Sequence, residues 1–205
     1  MKNFPETIPV FPLSAVIYFP KTNLPLNIFE ERYLNLVNDA YKNDGLMGMV
    51  QSKREGESVY QIGCLGKISD YQEIKDGRIL INLTGISRFR IIKEETNQKL
   101  YREFKVDYKN FSEDLKDIRN EADTISLMEK AKTFFKRNGL LLNWKEFEKL
   151  NQSQKINTLA MIAPVSNEEK QKLLEAITTN DRIKTLESII SFYLHETGLN
   201  NQTIQ

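Results

Sequence analysis

The 205 residues are enough to bury a core without disulfides or a structural metal. Their 29 Lys and Arg balance 28 Asp and Glu, so no excess of positive charge is available to displace counterions from a nucleic-acid backbone, and nucleic acid ranks last among partners. No apolar run reaches the roughly eighteen residues of a membrane span, so no membrane partner is expected. One cysteine, Cys64, and one histidine, His195, leave neither a disulfide nor a zinc site, and no cofactor is implied.

The opening MKNFPETIPVFPL is interrupted by Glu6 and by prolines before an apolar stretch of export-signal length, which makes the cytoplasm the expected location. Ile8 to Leu13 and Leu24 to Phe29 read as short strands, with Pro9, Pro12 and Pro25 directing them to sheet edges because proline lacks the ladder donor. Glu30 to Lys42 carries Tyr33, Leu34, Val37 and Tyr41 at helical spacing and stops at Asn43-Asp44-Gly45. Leu46 to Gln51 is apolar on both faces, as a central strand requires.

Gly56 marks a polar loop. Tyr60 to Ile74 and Arg78 to Lys93 then flank Lys75-Asp76-Gly77, a strong hairpin signal. On the returning arm Ile79, Ile81, Leu83, Phe89 and Ile91 share one parity, and Gly85 is placed to bend the arm toward a barrel. Tyr101 to Tyr108 supplies one more strand.

Near Phe111 the pattern changes from short apolar runs with Pro and Gly to long amphipathic periods, suggesting a β-rich part over 1–111 and a helical part over 112–205. Leu115, Ile118, Ala122, Ile125, Met128 and Phe135 form a stripe on a long helix ending at Asn138-Gly139. Trp144, Phe147, Leu150, Ile156, Leu159 and Ile162 mark a second helical region closed by Pro164. Ser166 and Glu169 form a capping box before a third helix that buries Leu173, Leu174 and Ile177. A fourth, with Ile183, Leu186, Ile190, Tyr193 and Leu194, ends at Gly198. The expected class is α+β: a β-rich half followed by a helical bundle.

Five segments in order, IPVFPLSAVIYFPKTNLPLNIFEERY, GLMGMV, YQIGCLGKI, DGRILINLTGISRFRI and YREFKVDY, resemble the Lon N-terminal domain, also called the LON substrate-binding domain. KQKLLEAITTNDRIKTLESII is similar to the closing helices of that family. The resemblance covers nearly the whole chain and implies a PUA-like β pseudo-barrel followed by a helical bundle, used to engage protein substrates. Full Lon chains also carry ATPase and Ser-Lys peptidase domains, for which 205 residues leave no room. Gly66-Lys67 is not a phosphate loop, since Gln61 stands where its first glycine is needed and Ile68 follows the lysine. Gly85-Ile86-Ser87-Arg88-Phe89 lacks the second glycine of a nucleophile elbow. No catalytic residue is assigned.

Tyr18, Phe19, Leu24, Met47 and Met49 are the residues considered for an apolar groove that takes unfolded or apolar polypeptide segments, or a protease partner, against the alternative of plain core packing. Phe29, Glu30, Arg32, Tyr33, Arg88 and Phe89 are read first as structural: a carboxylate suits the first helical turn, and Glu30 is a possible mate for Arg88. Paired carboxylates such as Glu30-Glu31 and Glu168-Glu169 point apart on a helix and suit solvent better than acid-base work. His195 near a helix end suits capping, and Cys64 in a strand suits burial. Two alternatives stay open: a small molecule in a cleft between the two parts, and RNA on a strand face bearing Arg88, Arg90 and Lys93.

Overall fold

The computed structural model describes residues 4–14, 16–53, 58–116 and 124–200, with side chains in the last stretch described through His195. Six strands form the first part: β1 (Thr7–Leu13), β2 (Asn23–Ile28), β3 (Leu46–Gln51), β4 (Ile62–Glu73), β5 (Ile79–Glu95) and β6 (Arg102–Asp107), with one helix, α1 (Glu31–Lys42), between β2 and β3. The sheet order is β2-β5-β4-β3-β1-β6, and β6 returns to pair with β5, so five strands close a ring and β2 is left outside it. β1 and β3 are parallel, and every other pairing is antiparallel.

Closure depends on β5, which pairs with β2 through Ile79 to Thr84 and with β6 through Arg90 to Glu95. Between these stretches the register to β4 slips, Leu65 facing Ser87 while Gly66 faces Gly85, so Ile86 is the extra residue of a bulge that turns the strand. Gly85 is required there. It accepts from the Lys21 amide and donates to the Thr22 carbonyl, each at 2.9 Å, and a Cβ at this position would overlap the Phe19 carbonyl oxygen. At the other end of β5, Gly77 (φ +88) donates to Ile74, and Ile74 donates to Arg78, closing the hairpin at the expected Lys75-Asp76-Gly77.

Ile8, Val10, Val50, Leu65, Phe89, Ile91, Phe104 and Val106 fill the ring as one cluster. β3 is buried at nearly every position, as a strand between two neighbours and under α1 must be. α1 buries Tyr33, Leu36, Val37 and Ala40, the i, i+3, i+4, i+7 face. Tyr41, expected on that face, is exposed and stacks on Tyr71 at 4.2 Å.

The chain divides into two compact units after Lys116, not at the composition break near Phe111. Residues Lys109–Leu115 form a 3-10 turn held on the barrel. Arg88 is fully buried beneath it. Its guanidinium donates to both Asp114 carboxylate oxygens, its backbone amide donates to the same carboxylate at 2.8 Å, and it lies 4.5 Å over the Phe111 ring. Arg88 therefore pairs with Asp114, whereas Glu30 pairs with Arg32.

The second unit contains α2 (Ile125–Arg137), α3 (Trp144–Phe147), α4 (Gln152–Ile162), α5 (Asn167–Glu175) and α6 (Thr179–Asn200). α2 buries Leu127, Ala131, Phe134 and Phe135, while Ile125 is 75% exposed and Leu115 belongs to the 3-10 turn, so the expected stripe is displaced. Ile118 and Ala122 lie outside the described residues. Capping boxes at Asn151/Gln154 and Ser166/Glu169 open α4 and α5. Ile177 follows α5 and is exposed. α6 runs past Gly198 to Asn200, which leaves His195 exposed within the helix and away from its final turn.

Candidate functional site

The first unit has a depression of about 470 Å³ lined by β1, Ser52 just past the end of β3, the start of α1 and the start of β6. β1 contributes Phe11, Pro12 and Leu13, α1 contributes Tyr33, and Leu100 stands at the rim with 59% of its surface exposed. The lining is thus mixed, with apolar and charged side chains side by side.

Chain entry into α1 sets the polar side. Glu30 is extended (φ −76, ψ 133), and its carbonyl accepts from the Tyr33 and Leu34 amides, while its carboxylate is free of any capping bond. That carboxylate instead accepts from Arg32 Nε at 3.0 Å and Nη2 at 2.7 Å. The Arg32 guanidinium then lies 4.6 Å over the Tyr33 ring, and that ring packs 4.0 Å from Phe11. Arg102 is oriented from the far side by a two-pronged bond to Glu94, 2.7 Å at each oxygen, and rests 4.9 Å over Phe104.

Tyr101 and Arg102 also belong to a second depression of about 490 Å³, lined by Glu94, Glu95, Thr96, Asn97 and Lys99. Tyr101 and Arg102 thus border both depressions. Tyr101 donates to Asp39 at 2.7 Å, and burial first and that carboxylate second push its phenol up to about 12. Lys99 is raised to about 12, chiefly by its bond to Glu103, and the bond from Arg102 holds Glu94 below the usual carboxylate range. These three groups keep one charge state through the neutral range, so the surface they form is electrostatically constant there.

The five residues considered for an apolar groove lie elsewhere. Tyr18, Phe19, Leu24, Met47 and Met49 are all buried, at 7% exposure or less, so they pack the interior and present no groove. The parity that put Met47 and Met49 together is that of a strand covered on both sides. Of the cluster read as structural, Glu30, Arg32 and Tyr33 line the depression, Phe29 is 66% exposed beside it in sequence, and Arg88 and Phe89 are interior. Arg88 is thus withdrawn from any basic strand face, and Lys93 pairs with Glu95. Leu100, Tyr101 and Arg102 were not singled out from sequence. The available signal was one leucine in the polar run Thr96-Asn97-Gln98-Lys99 before a strand, weak without the fold that brings it to β1 and α1.

Among the described residues no group of three His, Cys, Asp or Glu could hold a metal ion, and no helix is long and apolar enough to cross a membrane. Cys64 is buried in β4.

The ATP-dependent protease La (LON) substrate-binding domain has a sequence model that matches residues 7–191. The Lon protease of Syntrophus aciditrophicus is 27% identical over 206 residues, covering 93% of this chain and 25% of the relative. That of Dictyoglomus thermophilum is 23% identical over 205 residues, with 94% and 25% covered. The chain thus spans about a quarter of the length of these relatives. The Lon N-terminal domain protein from Xanthomonas campestris superposes with a TM-score of 0.64 at 22% identity, covering 90% of this chain and 97% of that one. The N-terminal domain of Mycobacterium avium complex Lon protease gives 0.65 at 17% identity, covering 90% and 98%. With the closed mixed sheet followed by helices agreeing with both, this chain belongs to the ATP-dependent protease La (LON) substrate-binding domain family.

Proposed function

We propose that the chain is a non-catalytic module that binds unfolded or apolar polypeptide segments, and that the paired depressions at Tyr101 and Arg102 receive them. The observation that carries this reading is the exposed Leu100 in one depression with apolar Phe11–Leu13 and the two oriented guanidiniums of Arg32 and Arg102. An extended peptide offers both parts of the match: side chains for the apolar wall, and carbonyl or carboxylate oxygens for Arg32 and Arg102. Family membership supports the ligand class, and a cytoplasmic setting goes with it.

The test is a titration of a fluorescently labelled, reduced and carboxymethylated protein as the unfolded probe. Leu100→Asp places a carboxylate on an exposed position, so the fold is retained, and is expected to weaken binding by roughly tenfold or more, the worth of one buried leucine. Leu80→Asp, at a half-exposed position on β5 outside both depressions, serves as the control and leaves affinity unchanged. Equal loss in both variants, or no binding by the native chain, removes the proposal.

A further inference from the structure

The helical unit carries an apolar projection that the polypeptide-binding reading does not use. α2 ends in a Schellman closure: Gly139, at φ +68, donates to Lys136 at 3.2 Å, and Leu140 donates to Phe135 at 3.0 Å. Four residues later Asn143 caps α3 by accepting from the Glu146 amide. The loop between is therefore pinned at both ends. At its apex Leu141 is 102% exposed, with Leu140 beside it at 39%.

Its surroundings are basic. From Lys130 to Lys149 the sequence has six cations (Lys130, Lys132, Lys136, Arg137, Lys145, Lys149) and two carboxylates, Glu146 and Glu148. Lys130, Lys132 and Lys149 are in ion pairs with Glu187, Glu148 and Glu146. Lys136 and Lys145, which flank the loop and are exposed, are in no ion pair with a described residue.

We propose that this loop is a membrane-surface contact, in which Leu141 and Leu140 enter the headgroup boundary of an anionic bilayer while Lys136 and Lys145 meet its phosphates. Two features favour a lipid surface over a protein. The leucine projects, so its partner must close around it, which a bilayer does without a preformed socket. Exposed cations stand on both sides of the tip in sequence, Lys136 before it and Lys145 after it, and an anionic surface complements their charge. Such a contact needs no spanning helix, and the described helices include none.

The test uses the full chain and vesicles of equal parts phosphatidylglycerol and phosphatidylcholine, with pure phosphatidylcholine vesicles for comparison. Leu141→Cys carries an environment-sensitive fluorophore, which Cys64, at 1% exposure, does not compete for. The expected result is a blue shift on anionic vesicles only, weakened by high salt. In sedimentation, unlabelled Leu141→Ser binds roughly tenfold more weakly. The pair Lys136→Ser with Lys145→Ser loses roughly thirtyfold. All these positions are exposed, so thermal melts matching the native chain verify folding, and affinity of the barrel for the unfolded probe stays unchanged. No shift on anionic vesicles, or equal sedimentation of native chain and Leu141→Ser, overturns the proposal, and the first of these leaves a protein socket as the occupant of the loop.

Discussion

Asp114→Ala is expected to destabilise the barrel by about 3–5 kcal/mol, the cost of leaving a buried charge without its partner. Arg88 has no surface exposure, and Asp114 answers its side chain and its backbone amide together. Removing the carboxylate leaves a cation that must be hydrated in place or drawn out through the 3-10 turn, and in the second case Phe111 loses the guanidinium over its ring. Urea unfolding with amide exchange read in β4 and β5 measures the loss. The double variant Arg88→Met with Asp114→Asn removes both charges at similar volume, keeps a side-chain oxygen to accept from the residue-88 backbone amide, and is expected to recover most of it, because a buried pair contributes little beyond a well-packed uncharged replacement. A loss below about 1 kcal/mol for the single change would mean that the pair behaves as a solvated surface bridge.

Arg182→Met is expected to cost the helical unit roughly 2–4 kcal/mol, set by two buried acceptors that lose their donor. Arg182 is 1% exposed, and its guanidinium donates to the Leu173 carbonyl at 2.9 Å and to the Asn157 side chain at 2.6 Å. Leu173 lies in the last turn of α5, where carbonyls lack helical partners and the dipole favours a positive charge. Methionine keeps the length and removes every donor. The only tryptophan, Trp144, packs on Phe135 and Phe147 in this unit, so its fluorescence in urea reports the shift directly. An unchanged midpoint would show that the acceptors are satisfied without the guanidinium.

Local chemistry was readable where it is written in few residues. Lys75-Asp76-Gly77, the Ser166/Glu169 box, the Asn138-Gly139 stop and the bend at Gly85 each follow from one backbone requirement met by one residue type. Arg88 and Asp114 were not readable as a pair, because they lie 26 positions apart and an arginine alternating with Arg90 looks like a solvated face until a later turn covers it. The helical stripe that began at Leu115 failed for a related reason. Apolar spacing continued across a chain segment whose Asp114 was committed to the barrel. Met47 and Met49 were readable as apolar, but whether an apolar strand faces a ligand or an interior is decided by its neighbours, here β1, β4 and α1. The depression combines four well-separated parts of the chain, 11–14, 30–33, Ser52 and 100–102, none of which carries a motif by itself.

Unfolded polypeptide lying across Tyr101 and Arg102 would shield the backbone around them from solvent. Hydrogen exchange of the native chain with and without saturating unfolded probe tests it most directly. Added protection is expected at the backbone amides of 11, 13, 14, 30–33 and 99–102, with the strands opposite unchanged. Protection absent from these segments while the probe is bound would place the binding surface elsewhere and rule the depressions out.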